Sequence, residues 1–415
     1  MNFEKSFLKN KNKTAIISNG RFISYKKIYQ DINKIFSNLA IKKFLILIET
    51  NNSREFFTIY TGSIINKKTV LLINNNTKQK SLEDIIQLYK PQYLFLTANK
   101  YHFKYKKINK INNFEILETN FKTKYLINEK LAVLLSTSGS LSSPKFVRIS
   151  YDNLEDNTKK IIEYLKIIST DRAITTLNPS YSYGLSVINS HLIAGASLIL
   201  NDNSIFKKEF WDLFKKYQPT SFSGVPYMFE ILEKLNFEKL PLNNLKYMTS
   251  AGGKLSDVLH LKLIDFLKNK KILFYIMYGQ TEASPRMSYL SPKYFDKKIG
   301  SIGKPLKGGN FILEDLLTNN KKNLIGEIVY KGKNVSLGYA SSFKDLKKSD
   351  VNSKYLKTGD LAFKDKEGFY FIVGRKNREI KLYGNRFNLD EIEKKLNLNG
   401  IKCACIFKNR NILIF

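Results

Sequence analysis

The sequence predicts an α/β fold, in which layered sheets and helices are followed by a β-rich, barrel-like region. As far as Met277, apolar segments of strand length alternate with segments of helix length, which is typical of parallel sheets covered by helices. Beyond Ser291 the pattern changes to short strands separated by glycine turns, which indicates the barrel-like region. A chain of 415 residues with 43% hydrophobic residues is long enough to bury such a core.

Local apolar patterns predict the individual elements. A hairpin that turns at Asn19 and Gly20 leads into an amphipathic helix. The apolar face of that helix carries Ile28, Ile32, Ile35, Phe36 and Leu39. The further predicted strands are Phe44 to Ile48, Val70 to Ile73, Tyr93 to Leu96, Leu131 to Leu135, Ala173 to Leu177, Ser197 to Leu200, Thr220 to Ser223, Leu245 to Ser250 and Ile272 to Met277. The further predicted helices are Ser53 to Ile65, Leu82 to Tyr89, Leu154 to Leu165, Leu185 to Ala194, Phe206 to Tyr217, Tyr227 to Leu235 and Leu255 to Leu267.

The charge balance raises one alternative, a basic RNA-binding protein, because 69 basic residues face 36 acidic ones and the formal net charge is +33. Lysine is spread along the whole chain together with asparagine and isoleucine, whereas arginine, the usual reader of bases and phosphates, is sparse. We therefore interpret the charge as a compositional bias and expect no nucleic-acid partner. The same charge favours attraction of anionic substrates or acidic carrier proteins.

The sequence also indicates the cellular location of the protein and the roles of its cysteines and histidines. The longest apolar runs are far shorter than the roughly 20 residues that cross a bilayer, and the N-terminus lacks the pattern of a secretory signal. We expect a cytoplasmic protein without a transmembrane segment. Cys403 and Cys405 share one face of a predicted strand and cannot form an unstrained disulfide, so we interpret both as buried small hydrophobes. We expect structural roles for His102, His191 and His260, which lack the spacing of metal ligands.

The stretch from Leu131 to Arg148 has the composition of a phosphate-binding loop. An apolar strand ends in a turn rich in hydroxyl groups, and a lysine follows that can add a positive charge. The residues concerned are Thr137, Ser138, Gly139, Ser140 and Lys145. The stretch is not the P-loop of nucleotide triphosphatases, because Pro144 stands where that motif needs glycine. We expect Asp152 or Asn153 to cap the following helix.

Two further loops leave the ends of predicted strands with suggestive residues. The segment SAGGKLS places Gly252 and Gly253 where the backbone can approach a flat ring, although two such glycines are also common in plain turns. The segment YGQTEAS brings an aromatic ring, a glycine, an amide, a hydroxyl and a carboxylate together, in Tyr278, Gly279, Gln280, Thr281 and Glu282. Because ligands bind beyond the carboxyl ends of strands in open α/β sheets, we expect these turns to converge at the rim of a single sheet.

The order TSGS followed by PK, together with YGQTE, TGD and GR, resembles the adenylate-forming superfamily, which includes acyl-CoA and aryl-CoA synthetases, luciferases and adenylation domains. The resemblance implies that ATP and Mg²⁺ are bound here. It implies that residues 137 to 140 and Lys145 bind the β- and γ-phosphates, that Tyr278 lies against adenine, and that Thr281 contacts the α-phosphate. Glu282 would bind Mg²⁺, which prefers one or two carboxylates together with phosphates and waters. Asp360 and Arg375 would hold the ribose.

The same resemblance implies a ligase that activates a carboxylic acid as its adenylate, releases pyrophosphate and passes the acyl group to a thiol. The acid would lie between two segments, whose residues are Tyr181, Tyr183, Gly184, Ser223, Gly224, Val225 and Pro226. The segment NPSYSYG lacks an aspartate for an α-ammonium group, which favours a fatty, hydroxy or aryl acid over an amino acid. CoA or the phosphopantetheine of an acyl carrier protein would be the acceptor.

The resemblance finally implies a large N-terminal domain at 1–376, whose α/β layered sheets are joined by a distorted β-barrel, and a small, incomplete α+β C-terminal domain at 377–415 that is mobile. Asn377 occupies the hinge position, and Lys381, Gly384 and Arg386 match a pattern that enters the site during thioester formation. The family's later segment with a lysine that assists adenylation is not found before Phe415, so we expect a truncated C-terminal domain. The alternative to an active ligase is therefore a degenerate or split homologue that binds nucleotide and acid but turns over poorly.

Overall fold

The computed structural model describes residues 2–37, 39, 42–121, 125–137, 145–318, 324–382, 385–401, 403–408 and 411–415. Its helices are α1 Phe3–Lys9, α2 Tyr25–Phe36, α3 Arg54–Ile65, α4 Gln79–Tyr89, α5 Tyr151–Leu165, α6 Ser182–Ala194, α7 Lys208–Tyr217, α8 Pro226–Lys234, α9 Asp257–Lys270 and α10 Leu389–Leu398. Each predicted helix is present, with ends that agree within three residues. None of the helices in the described ranges has the length and apolarity needed to cross a bilayer.

The strands alternate with these helices as far as β14 and then follow one another. The first group is β1 Thr14–Ser18, β2 Arg21–Ser24, β3 Leu45–Thr50, β4 Thr69–Asn74, β5 Tyr93–Thr97, β6 Lys106–Ile111, β7 Phe114–Glu118, β8 Leu131–Ser136, β9 Phe146–Ser150, β10 Arg172–Ile174, β11 Ser197–Ile199, β12 Ser221–Gly224, β13 Tyr247–Ser250 and β14 Leu273–Gly279. The second group is β15 Arg286–Leu290, β16 Lys304–Pro305, β17 Asn310–Thr318, β18 Leu324–Lys331, β19 Tyr339–Ala340, β20 Tyr355–Lys364, β21 Tyr370–Arg375, β22 Glu379–Leu382, β23 Asn385–Asn388, β24 Cys405–Lys408 and β25 Asn411–Ile414.

Two large mixed sheets form the body of the molecule. One has the strand order β19-β9-β8-β4-β3-β5-β7-β6, and the other has the order β16-β15-β14-β13-β12-β10-β11-β1-β2. The central strands of both are parallel, with β3, β4 and β8 adjacent in the first sheet and β12, β13 and β14 adjacent in the second. An apolar core that includes α2, α3 and α6 lies between elements of the two sheets. The predicted α/β class is therefore confirmed.

A third, antiparallel sheet with the order β17-β18-β20-β21 forms the β-rich region, and two small hairpins, β22-β23 and β24-β25, follow it. The expectation that all the site loops leave a single sheet is wrong. The phosphate-loop stretch joins β8 to β9 in the first sheet, the YGQTE segment follows β14 in the second, and Asp360 lies on β20 in the third. Sheet membership depends on long-range pairing, which a local apolar pattern does not report.

Several local expectations also change. Helix α1 and the antiparallel β6-β7 hairpin were not predicted, because α1 is short and β6 is exposed and lysine-rich. Ser150, rather than Asp152 or Asn153, is the N-cap of α5, and Asn153 completes a capping box by accepting from the Ser150 backbone N–H. Of the two cysteines, Cys405 is buried as expected, whereas Cys403 is half-buried, and both are free thiols.

Two of the histidines are buried in the interior. The Nδ1–H of His191 donates to the carbonyl of Val187 at 2.8 Å, and the Nε2–H of His260 donates to the carbonyl of Phe295 at 2.7 Å. Burial lowers the pKa of both imidazoles, against weaker opposing effects of these hydrogen bonds and of nearby aspartates. His102 is exposed. The folded state therefore favours the neutral forms of His191 and His260.

We expect the free energy of unfolding to decrease as the pH falls below about 6.5, because the unfolded chain then binds protons that the buried imidazoles do not. The stability supplied by neutral His191 is complete above that pH and is lost below it. Urea unfolding, measured at pH about 7.5 and about 5.5, gives this decrease in the free energy of unfolding. The decrease should be smaller in His191→Gln than in the wild type or in the control His102→Gln, and an equal decrease in all three would contradict it.

Arg148, on β9, connects this strand to β19 and to the segments before and after it. Its fully buried guanidinium donates to the carbonyls of Leu337, Tyr339 at 3.2 Å, Lys348 at 2.6 Å and Ser349 at 3.0 Å. The backbone continues this contact, because the N–H of Arg148 donates to the carbonyl of Gly338 at 2.8 Å. A buried cation is tolerated here because several carbonyl dipoles receive its hydrogen bonds.

Replacing Arg148 with methionine should lower the free energy of unfolding by about 2–4 kcal/mol, because several buried carbonyls lose their donor. The control is Arg172→Met, where a half-buried guanidinium donates to one carbonyl, that of Tyr217, at 2.5 Å. Urea denaturation of both variants measures the difference. Equal losses in the two variants would show that Arg148 does not join these segments.

Candidate functional site

The YGQTE segment lies where the three large sheets meet. It begins at the end of β14 and continues as a short 3-10 helix at Thr281–Ala283. The loop after it folds back so closely that a Cβ on Gly279 would stand 2.0 Å from the carbonyl oxygen of Pro285. The Gln280 N–H donates to that same oxygen at 3.0 Å. Glycine at this position is therefore required by the tight return of the backbone.

A buried carboxylate lies beside this segment. Asp360 is 4% exposed, and its Oδ2 accepts from the Tyr278 hydroxyl at 2.5 Å and from Gln280 Nε2 at 2.9 Å. Its Oδ1 accepts from Nε of Arg375 at 2.9 Å, across the pairing of β20 with β21. Burial raises the pKa of Tyr278 well above its usual value, and the Asp360 carboxylate raises it further, so the phenol stays a hydrogen-bond donor.

These contacts leave Asp360 partly available. A carboxylate has about four acceptor directions, and three of them are used by Tyr278, Gln280 and Arg375. The Arg375 side chain is 62% exposed, so it is the partner that can move with the least cost. A vicinal diol could therefore bind Asp360 at the free direction and at the one that Arg375 holds.

The next two residues of the segment point to other elements. The Thr281 hydroxyl is 3.1 Å from the Ser182 hydroxyl at the start of α6. Glu282 Oε1 accepts from the Tyr339 hydroxyl at 2.6 Å, and the Glu282 carbonyl accepts from the Ser336 N–H at 2.8 Å. Because Tyr339 pairs with Val147 of β9, this contact brings Glu282 towards the strand that Lys145 precedes.

The phosphate-loop stretch is described only at its two ends. Thr137 directly follows β8 and is half-buried, whereas Lys145 directly precedes β9 and is exposed. The predicted residues Ser138, Gly139 and Ser140 lie outside the described residues, and so does Gly384. Lys381 and Arg386 are opposite each other in the β22-β23 hairpin, and Asn377 lies in the turn before it, but the side chains of these three are also outside the description.

The carboxyl ends of β12 and β13 place two of the predicted loops side by side. Gly224 pairs with Ser250, and the Ala251 N–H donates to the Gly224 carbonyl at 3.4 Å. Gly252 is exposed at φ +86°, and a Cβ there would stand 2.2 Å from the Tyr181 hydroxyl. Gly253 lies against Pro226, which follows the half-buried Val225 at the start of α8. The structure therefore brings Tyr181 and both loops together.

Tyr183 and Gly184 face the interior. The Tyr183 hydroxyl lies 2.9 Å from the Thr249 carbonyl and 2.6 Å from its hydroxyl, which in turn donates to Ser223 Oγ at 2.9 Å. A Cβ on Gly184 would stand 2.6 Å from the Asn178 carbonyl, so Gly184 allows a close backbone approach. Hydrogen bonds through Thr249 therefore connect Tyr183 and Ser223, which form one wall of the predicted acid pocket. Gly184 allows the start of α6 to pack closely against the Asn178 carbonyl.

Three residues of this region were not predicted. Ser182 and Tyr339 contact Thr281 and Glu282, and Arg286, immediately after the YGQTEASP segment, is buried beside Tyr183. The sequence offered a signal only for Arg286, since arginine is sparse and this one follows a site motif. Ser182 and Tyr339 could not be predicted, because each meets the segment only through the packing of separate elements.

The donor set around Glu282 fits a metal that a nucleotide carries. Within the described ranges, no group of three or more His, Cys, Asp or Glu residues could bind a metal by itself. Glu282 is half-buried, and its Oε1 accepts a hydrogen bond from the Tyr339 hydroxyl. One carboxylate of this kind suits Mg²⁺ when phosphate oxygens and waters complete the octahedron.

Comparison with known proteins gives a consistent result. The family model described as AMP-binding enzyme matches residues 3–340. Oxalate–CoA ligase of Saccharomyces cerevisiae is 29% identical over 289 residues, which are 68% of this chain and 52% of that protein. 2-Succinylbenzoate–CoA ligase of Listeria monocytogenes is 25% identical over 389 residues, which are 92% of this chain and 79% of that protein. The chain thus spans about half the length of the oxalate–CoA ligases that it matches.

Solved structures show the same fold. The O-succinylbenzoate coenzyme A synthetase of Bacillus subtilis in complex with its acyl-adenylate intermediate superposes with a TM-score of 0.77 at 18% identity, covering 99% of this chain and 87% of that one. An anthranilate CoA ligase in complex with anthranoyl-AMP superposes with a TM-score of 0.78 at 19% identity, covering 98% and 83%. At this identity the likeness shows the fold alone.

Replacing Gly279 with alanine should lower the free energy of unfolding by about 1–3 kcal/mol, because the new methyl group would overlap the Pro285 carbonyl. The matched control is Gly253→Ala, where a Cβ would lie 3.3 Å from Pro226 and the backbone needs no left-handed φ. Thermal or urea unfolding compares the two. Equal stability of both variants would show that the return of the loop is not as tight as described.

Proposed function

The chain belongs to the family of AMP-binding enzymes, and from that membership we propose that it is an acid–thiol ligase. In the first step, a carboxylic acid attacks the α-phosphate of ATP, so that an acyl adenylate forms and pyrophosphate leaves. In the second step, a thiol displaces AMP. The proposed acid is fatty, hydroxy or aryl, and the proposed thiol is CoA or the phosphopantetheine of an acyl carrier protein.

The chemistry requires positioning and neutralisation of charge more than a nucleophilic side chain. A carboxylate is a poor electrophile at neutral pH, whereas its mixed anhydride with AMP has a good leaving group. Attack on phosphorus is accelerated when the reactants are aligned and the charge that develops on the phosphates is compensated. The proposed roles therefore go to donors, cations and one metal-binding carboxylate.

The single observation that carries the proposal is that the YGQTE segment is in contact with all three large sheets. Tyr278 and Gln280 donate to Asp360, Thr281 meets Ser182, and Glu282 meets Tyr339. We assign Asp360 and Arg375 to the ribose, Thr281 to the α-phosphate and Glu282 to Mg²⁺. Lys145 and residues 137 to 140 would bind the β- and γ-phosphates, with Gly252, Gly253 and Gly279 beside the base.

Mg²⁺, when bound by Glu282 and the phosphates, would neutralise charge on the triphosphate. The Tyr339 hydroxyl supports this role, since its hydrogen bond holds the Glu282 carboxylate in one orientation. Burial and the neighbouring Glu282 both raise the pKa of Tyr339, so the phenol remains protonated and continues to donate.

For the second step we propose that 377–415 acts as a separate mobile domain that brings Lys381 to the site. The Arg375 N–H donates to Asp390 at 3.0 Å across the proposed boundary, in an exposed hydrogen bond. On the N-terminal side of the boundary, Lys376 forms ion pairs with the buried Glu327 at 2.8 Å and with the exposed Asp315 at 2.6 Å. Because the contact that crosses the boundary is exposed to water, it is weak and exchanges readily. We also assign the reaction to the cytoplasm, in agreement with two free thiols.

Exchange of radiolabelled pyrophosphate into ATP in the presence of a panel of acids tests the proposal. We expect exchange that depends on both an acid and Mg²⁺. Glu282→Gln should lower it by about a hundredfold or more, because the metal ligand loses its charge. The amide oxygen can still accept from Tyr339, so the melting temperature should not change.

The control is Glu314→Gln, an ion-paired glutamate on β17 that lies outside the site. Its exchange rate should match the wild type. Nucleotide binding without exchange for any acid would contradict the ligase and favour a homologue that only binds. Full exchange in Glu282→Gln would remove Glu282 from the metal site.

A further inference from the structure

Arg286 is a buried cation next to the wall of the proposed acid pocket. It is 2% exposed and is the first residue of β15. Its guanidinium lies over the Tyr183 ring, 4.8 Å from the ring centre, and Nη2 is 3.4 Å from the Ser186 hydroxyl. Its Nε–H has no hydrogen-bond acceptor among the described residues. The cation is therefore stabilised by an aromatic face, one long hydrogen bond and the neighbouring hydroxyl of Tyr164, with the Nε–H donor unused.

Among the described residues, no carboxylate lies within ion-pair distance of Arg286, and its guanidinium also lacks the backbone carbonyl acceptors that other buried or half-buried arginines have. Arg148 is equally buried but donates to four backbone carbonyls. Arg378 pairs with Asp390 and Glu393, and Arg375 pairs with Asp360. Burying a charge without a matching partner is costly, so such a group is maintained where it gains its partner from a ligand.

A small cavity lies against this group. It has a volume of about 10 Å³, and its lining includes Tyr183, Ser186, Ser223, Thr249, Met277 and Arg286. Hydroxyl groups and the guanidinium form its polar side, and Tyr183 and Ser223 belong to the wall of the proposed acid pocket. The cavity is the size of about one water molecule. A larger end group would enter if flexible side chains such as Met277 shifted, as side chains commonly do on binding.

The positions along α6 give the distance between the two ends of the site. Thr281, assigned to the α-phosphate, meets Ser182, whereas Arg286 meets Ser186, one helical turn further on. Four residues of an α-helix span about 6 Å. Two carboxyl groups that reach both ends would therefore be joined by a linker of about three to five carbon atoms.

We propose that Arg286 receives a second carboxylate of the acid, so that the substrate is a short dicarboxylic acid whose far end forms a charge-assisted pair with the buried guanidinium. The inference rests on the proposed function and names its substrate class. It contradicts a purely apolar fatty acid, because such a chain would leave the cation unpaired. Arg286 is a specificity residue in this account, since it contacts the end of the acid that does not react.

The test compares α,ω-dicarboxylic acids of about five to seven carbons with their monomethyl esters, which have nearly the same length and one charge fewer. Each acid is measured by ATP–pyrophosphate exchange and by the shift that it causes, without nucleotide, in the melting temperature. The variants are Arg286→Met, which keeps the packing on Tyr183, and Arg286→Lys, which keeps the charge. Arg172→Met is the control, because its guanidinium donates to the Tyr217 carbonyl and does not line the cavity.

We expect the wild type and Arg172→Met to prefer the dicarboxylate by at least about tenfold, and Arg286→Met to lose that preference. Arg286→Lys should retain part of it. In the absence of acid, Arg286→Met should melt at the same or a higher temperature than the wild type, because an unpaired buried charge has been removed.

Two results would overturn the inference. One is a wild type that does not distinguish the dicarboxylate from its ester in either measurement. The other is an Arg286→Met variant that melts several degrees lower and keeps the wild-type preference, since the guanidinium would then be structural. If no acid supports exchange, but the dicarboxylate raises the melting temperature of the wild type and not of Arg286→Met, the ligase proposal fails and the assignment of Arg286 stands.

Discussion

The structure depends on one hydrogen-bonded junction, where the segment after β14 is held by elements of three sheets. Asparagine side chains stabilise this junction by donating to its backbone carbonyls. Asn334 Nδ2 donates to the carbonyls of Ala283 and Arg286, and Asn157 Nδ2 donates to the Arg286 carbonyl at 2.8 Å. Asn153 does the same for the carbonyls of Lys333 and Val335. Each of these amides satisfies a backbone group that a turn would otherwise leave buried and unpaired.

Two buried side chains of opposite charge belong to this junction: Asp360 contacts the start of the segment, and Arg286 follows its end. Asp360 is buried but receives three donors, two of them from the segment itself. Arg286 is buried over an aromatic ring, with a donor left unused. The carboxylate of the proposed ribose site is therefore hydrogen-bonded through both oxygens, whereas the proposed acid site contains an incompletely paired cation. Pre-organised groups of this kind lower the cost of aligning two reactants.

Much of the secondary structure could be predicted because it follows from the local pattern of apolar residues. Apolar runs of strand length and helices with one apolar face are visible without knowledge of their partners, and the ends of the elements agree within three residues. The residues of YGQTE and SAGGK could be named because they follow predicted strands, whereas TGD was named from its resemblance to the superfamily. The assignment of the site loops to one sheet was wrong, since β8, β14 and β20 belong to three different sheets and sheet membership depends on pairing between distant segments.

The sequence by itself determined the α/β class, the order of the elements and the loops that carry polar groups, because each of these follows from residues close to one another in the chain. Only the tertiary structure decided which loops meet: that Asp360 accepts from Tyr278, that Tyr339 donates to Glu282, and that Arg286 is buried with its Nε–H unpartnered among the described residues. Burial and pairing are properties of segments that are distant in sequence. The cost of an unpaired charge therefore becomes visible only when the chain is folded.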